Sequence, residues 1–369
     1  MRRSIVLYHI LMFISCSFSL FGQKHIPINP KASKEAYQLL EFLYTIQAKH
    51  YTLSGQHNFV SDLNLYENAV RKVTGKTPVL WGSDFSFNVK GDSAQNYQHC
   101  GPMNLSTPYK PFSFNNRRDS SLRADMIAEA IQQYKQGRII TLMWHACFPT
   151  DGDECDGSSI WTGENRIPDE AWEELTTPGT FLHKAWQRQA DRIASYLKQL
   201  RDLGIPVLWR PYHEMNGSWF WWGGHPGENG YKKLWIMMYD YFTHYHKLNN
   251  LLWVWNASAI SQWVPSYVDF FPGTEYVDLL ATDVYRREYT QETYDELVSL
   301  GKGKIVALGE IGEMPTNEQY KDQPYTWFMC WGYYIDQYNS AKDVKAIYDN
   351  PRTITLDEID FSKKTYKLK

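Results

Sequence analysis

Glu214 and Glu310 are the residues of this chain best suited to chemistry. Glu214 lies in the string Arg210-Pro-Tyr-His213-Glu214-Met-Asn216-Gly217, and Glu310 lies in Gly309-Glu310-Ile311-Gly312. Two carboxyl groups facing each other across a cleft are the minimal machinery of glycoside hydrolysis. In that chemistry one stays ionised, while the other is kept protonated by its surroundings and serves as acid and then base. The two are far apart in sequence, so only the fold can bring them together. Glycines flank Glu310 and leave room around it. After Glu214 comes Trp219-Phe220-Trp221-Trp222, a run bounded by glycine. Flat apolar faces beside carboxylates suit ligands that stack, such as sugar rings. Some of these aromatics belong to the core, and Trp221 and Trp222 suit core and cleft equally. Trp81, Trp209, Trp253 and Trp255 are assigned mostly to packing, Asp84 suits a structural acceptor for loop amides as well as a functional role, and His57 reads as a satisfied buried histidine rather than a ligand.

These residues need elements to carry them. Eight β-rich runs recur along the chain, at residues 51–57, 78–86, 138–148, 206–213, 251–257, 277–285, 304–309 and 327–333. Several are almost continuously apolar, as strands covered on both faces are. Between them lie segments of helical period. Over 180–203, Leu182, Trp186, Ala190, Ile193, Leu197 and Leu200 form one stripe, and Gly204 stands where a C-terminal cap belongs. Residues 120–134 and 229–245 behave alike. A helix over 34–49 precedes the first strand and is placed to cover the base. The alternation predicts an α/β fold, a single (β/α)8 TIM barrel with long loops at the C-terminal face. A doubly wound open sheet fits less well, because no GxGxxG turn follows the first strand. In a barrel of this kind catalytic groups stand at the C-terminal ends of strands. Glu214 follows strand four and Glu310 ends strand seven. Two long connections, 90–118 and 150–179, belong at the same mouth.

Composition sets the class. The chain has 369 residues, with 15 Trp, 26 Tyr and 17 Phe, which is more aromatic surface than folding alone requires. A net charge of −3 leaves no basic excess to neutralise phosphates, so nucleic acid is not an expected partner. Arg2 and Arg3 precede an apolar run over 5–21, the pattern of a secretory signal peptide. Residues 1–22 are therefore expected to be removed, with 23–369 forming one catalytic domain that is exported to the periplasm or secreted. A lipoprotein reading would acylate Cys16, but the chain stays apolar beyond it. Export permits disulfides, and Cys147 and Cys155 lie in one loop region and could pair. His145 and His213 fall on adjacent strands without an HxH or lysine ligand pattern, so neither metal nor cofactor is expected.

The string from Arg210 to Gly223 closely resembles the acid/base signature of glycoside hydrolase family 26, the β-mannanases. Ala307-Leu308-Gly309-Glu310-Ile311-Gly312 resembles the family's nucleophile strand. The likeness spans about residues 51–331. It implies that Glu214 is the acid/base and Glu310 the nucleophile of a retaining double displacement. It also implies that the enzyme acts on internal β-1,4 linkages of mannan, galactomannan or glucomannan. Binding roles are implied for His145, Trp161, His213, Trp219, Asp283, Tyr285 and Trp331. Among these, Tyr285 is expected to bond the nucleophile, and Trp219 and Trp331 to flank the cleavage position. The partner is then β-mannan polysaccharide or manno-oligosaccharide, bound by a monomer. Family relatives acting on mixed-linked β-glucan or β-1,3-xylan, and a non-catalytic glycan-binding barrel, are the alternatives.

Overall fold

The computed structural model describes residues 25–60, 63–85, 119–152, 155, 157–161 and 167–369. The expected signal peptide, Cys16, Cys100 and the connection over 90–118 lie outside the described residues.

Seven parallel strands form one curled sheet in sequence order: β1 (Gly55–His57), β2 (Leu80–Asp84), β3 (Ile139–Trp144), β4 (Val207–Pro211), β5 (Leu251–Ser258), β6 (Leu279–Val284) and β7 (Ile305–Ile311). Apart from Ser258, their residues are buried, which explains why they read as unbroken apolar runs rather than alternating ones. Trp81, Trp209, Trp253 and Trp255 are fully buried within them and serve packing.

Two ends of the expected pattern differ. The first run splits: Thr52–Leu53 pairs with Thr353–Ile354, and only Gly55–His57 joins the main sheet. The switch falls at Gly55, where a Cβ would stand 2.6 Å from the Phe328 carbonyl oxygen. The expected eighth strand, 327–333, is not a regular strand. Single parallel bridges link Cys330 to Gln56 on one side and to Ile311 on the other. The His57 amide donates to the Cys330 carbonyl (2.9 Å), and the Ile311 amide donates to that of Met329 (2.8 Å). Gly332 (φ +37°) then turns the chain away, so the segment is too short for a ladder.

The helices follow the apolar stripes. We label them α1 (Lys34–Ala48), α2 (Leu65–Thr74), α3 (Asp119–Lys135), α4 (Phe181–Asp202), α5 (Tyr231–Asp240) and α6 (Gln291–Gly301). On α4 the predicted stripe is buried, the Thr180 hydroxyl accepts from the His183 amide at the start, and Gly204 (φ +69°) stands just past the end. The third predicted helix stops at Asp240 and continues as a π-helical turn over Tyr241–Tyr245. Residues leading into α1 bond to the entrances of β5 and β6: the Ser33 amide donates to Asn249, and the Ile28 amide to Asp278. That end of the sheet lies opposite the carboxylates.

Cys147 and Cys155 form a disulfide across the loop after β3, and Cys330 is a buried free thiol. Beside the bridge, Ala146 accepts from the Trp221 indole (2.8 Å), so the cross-link steadies the wall that carries the aromatic run. Replacing Cys147 and Cys155 by serine is expected to lower stability by about 2–3 kcal/mol through the freed unfolded chain. Thermal melts of the double variant against the wild type measure this.

Candidate active site

The β4 exit is held in an uncommon conformation. Tyr212 (φ +48°) and Glu214 (φ +55°) are both left-handed, which costs on the order of 1–3 kcal/mol each for non-glycine residues. Packing and hydrogen bonds enforce it. The Trp186 indole donates to the Tyr212 hydroxyl (2.9 Å), the Tyr231 hydroxyl to the Tyr212 carbonyl (3.0 Å), and the Glu214 amide to the Asn256 carbonyl (2.9 Å). The aromatic run then divides. Phe220, Trp221 and Trp222 are buried, and the Trp222 indole donates to the His213 carbonyl (2.8 Å). Trp219 is half-buried, and its indole donates to Glu214 Oε2 (2.8 Å). A Cβ on Gly217 would stand 2.2 Å from the Trp219 ring, so only glycine lets the indole lie there.

Glu310 meets Glu214 through β7. Two donors converge on it: Arg210 Nη2 on Oε1 (2.8 Å) and the Tyr285 hydroxyl on Oε2 (2.5 Å). His213 Nε2 lies 3.6 Å from Oε1. A register shift between Thr282 and Asp283 sets Asp283 beside Glu310. Arg210 Nη1 also reaches Asn256 Oδ1 (3.1 Å) and Asp283 Oδ1 (3.4 Å). This cluster passes close to the backbone at Gly309, where a Cβ would come within 1.6 Å of Asn256 Oδ1.

Burial and charge explain the protonation pattern. Burial first, and then the negative charge of Glu310, push Glu214 up to about 8, against smaller opposing effects of the Trp219 indole and Arg210. Asp283 is raised for the same two reasons, and its Oδ2 has no hydrogen-bond partner among the described residues. Burial disfavours the Arg210 cation, but Glu310 and Asp283 outweigh it and hold the guanidinium charged. Ligand atoms of His213, Asp283 and Glu310 lie within 4.8 Å of one another. Arg210 already bonds two of these three residues, so the positive charge such a group would attract is supplied by the protein.

The remaining predicted residues line the adjoining wall. His145 follows β3, edge-on to His213 (4.6 Å between rings) and 6.0 Å from Trp331. Neither ring nitrogen of His145 has a hydrogen bond among the described residues. Trp331 stacks on His57 at 4.0 Å. Trp161 sits farther out, half-buried, bridged to Phe220 with rings 5.9 Å apart. Among the described residues Asp84 accepts from no loop amide. It faces His57 Nε2 (3.3 Å) and His145 Nδ1 (3.6 Å), and these two histidines hold its carboxyl well below the usual range against the penalty of burial.

Sequence reasoning assigned no role to Arg210 or Asn256. Both carried a signal, a polar side chain inside an apolar strand, which must find buried partners.

Comparison with known proteins accords with this geometry. The profile of Glycosyl hydrolase family 26 matches residues 112–358. The chain belongs to that family. A mannan endo-1,4-beta-mannosidase of Thermothelomyces thermophilus is 30% identical over 341 residues, covering 90% of this chain and 62% of its own length. The chain spans between half and just under two thirds of the length of the first curated relatives it matches. Among solved structures, GH26A from Muricauda sp. MAR_2010_75 is 38% identical with a TM-score of 0.78, covering 90% of this chain and all of that one. A beta-mannanase from a symbiotic protist of the termite Reticulitermes speratus, complexed with gluco-manno-oligosaccharide, is 28% identical with a TM-score of 0.71, covering 90% of this chain and 97% of that one.

Glu214 in this family 26 chain also affects stability. Its carboxyl rises from an ordinary 4.5 to about 8 on folding, so the folded state keeps a proton that the unfolded chain releases between those values. Stability therefore falls as pH rises through that window. Glu214→Gln, which never ionises, is expected to be more stable than the wild type at pH 7, by on the order of 3 kcal/mol. The gap should close towards pH 4, and denaturant melts across pH measure it.

Proposed function

We propose that the protein is a retaining endo-β-1,4-mannanase, with Glu310 as nucleophile and Glu214 as acid and base. The observation that carries the assignment is the asymmetry of the two carboxyls. Glu310 accepts from Arg210 and Tyr285, whereas Glu214 is raised to about 8 and so keeps its proton at neutral pH. In the first step Glu310 attacks the anomeric carbon, the glycosidic C–O bond breaks, and Glu214 gives its proton to the leaving oxygen. The charge on Glu310 is then consumed in the ester, which removes one of the two causes holding the Glu214 proton. Glu214, left ionised by its donation to the leaving oxygen, then takes a proton from water, whose oxygen attacks the anomeric carbon as the ester C–O bond breaks and Glu310 is released. We assign His145 and His213 to sugar hydroxyls, and Trp219 and Trp331 to the faces of the ring at the cleavage position. Trp161 we assign to a neighbouring ring, and Asp283 to holding Arg210 in place.

Mannan as substrate is supported by the names of the relatives, which are mannan endo-1,4-beta-mannosidases. We read the segment carrying Cys330 as the eighth stave of a closed (β/α)8 barrel, which its hydrogen bonds to both edge strands support. The Cys147–Cys155 disulfide supports export to an oxidising compartment.

Purified protein is expected to shorten mannan and glucomannan to oligosaccharides, with β-glucan and β-1,3-xylan resisting. Glu214→Ala and Glu310→Ala should each lose at least about a thousandfold in kcat/KM. Proton NMR of the earliest products should find the β anomer; α product would overturn the nucleophile assignment. The pH profile should fall on its alkaline side near pH 8, as Glu214 loses its proton. Trp219→Phe removes a donor that favours the charged form of Glu214, so its alkaline limb is expected at higher pH.

A further inference from the structure

Trp263 is the large hydrophobic side chain that faces solvent most fully among the described residues, with 80% of its surface exposed. A mobile tip would explain an exposed indole, but this tip is well braced. Ser261 and Val264 exchange both backbone hydrogen bonds (3.1 and 3.2 Å), which leaves Gln262 and Trp263 at the end of a tight turn. The Trp263 amide donates to Ser261 Oγ (3.2 Å).

The base of the turn is clamped by one side chain. Asn216 Nδ2 donates to the carbonyls of Ser258 (2.9 Å) and Pro265 (3.1 Å), and Asn216 Oδ1 accepts from the Ser258 amide (2.8 Å). Asn216 is buried and stands two residues after Glu214. The turn leaves β5 at its C-terminal end, the end at which Glu214 leaves β4. A rigid turn, anchored to the segment that sets the acid, thus presents a bare indole with an exposed amide, Gln262, beside it.

We propose that Trp263 is a binding platform for a sugar ring of the substrate chain outside the cleavage position. The ligand class is the apolar face of a β-linked pyranose, with Gln262 available to its hydroxyls. An indole face is suited to this because it offers apolar area with little conformational freedom to lose. The inference rests on the mannanase reading, and it concerns binding of longer chains rather than bond cleavage.

Steady-state hydrolysis of mannotriose and mannohexaose by wild type, Trp263→Ala and Trp263→Phe tests it. For Trp263→Ala, KM on mannohexaose should rise about five- to tenfold, with kcat within about twofold and kcat/KM on mannotriose unchanged. Trp263→Phe should recover most of the loss. Melting temperatures should coincide, since little surface is buried at this position. Equal kinetics on mannohexaose would overturn the proposal, as would an equal loss on both lengths, which would indicate a disturbed Glu214 loop. If the wild type cleaves neither oligosaccharide, the mannanase reading fails by itself. Calorimetric titration of wild type and Trp263→Ala with manno-, cello- and xylohexaose then decides the platform separately. Weaker binding of any of them by the variant sustains it; equal affinities, or no binding, overturn it.

Discussion

Glu214, Asp283 and Glu310 are withdrawn from water together, beside the buried guanidinium of Arg210. Transferring an ion into such surroundings carries a penalty of several kcal/mol unless a partner and hydrogen bonds offset it. Arg210 offsets it for Glu310 directly and for Asp283 at longer range. It cannot do so for three charges at once. Burial and mutual repulsion therefore keep a proton on Glu214 and push Asp283 in the same direction, and the resulting division between a protonated Glu214 and a charged partner carboxyl is what double displacement requires.

Much of the surrounding structure exists to hold this arrangement. Arg210 enters from β4, Asn256 from β5, Asp283 from β6 and Glu310 from β7, so four neighbouring strands share one hydrogen-bond cluster. Gly309 is required because Asn256 occupies the space of a side chain. The left-handed backbone at Tyr212 and Glu214 is maintained from behind by Trp186, Tyr231 and the aromatic run. Strain at the β4 exit and carboxyl burial both reduce stability for the sake of geometry, a common feature of active sites.

The aromatic richness serves two ends. Most indoles of the strands and of the Trp221-Trp222 pair are interior packing, and the N–H groups of that pair bond the Ala146 and His213 carbonyls near the site. Fewer face the cleft, and their location follows from the carboxylates rather than from tryptophan content. Trp219 and Trp331 differ in this respect. The first touches the acid, while the second rests on His57, which is paired in turn with Asp84.

Some of this was legible in residue order alone. Buried parallel strands leave apolar runs, helices against a sheet leave stripes at three- and four-residue steps, and helix ends leave glycine, so the strand–helix alternation and the places of Glu214 and Glu310 could be read directly. Those signals are local, set by period and backbone preference. The partners of Arg210 and Asn256, the proton on Glu214, the turning of Asp84 towards two histidines and the irregular segment at Cys330 were decided only by the tertiary structure. Each depends on which distant side chains share a dry space, and on burial and charge, which act through space rather than along the chain.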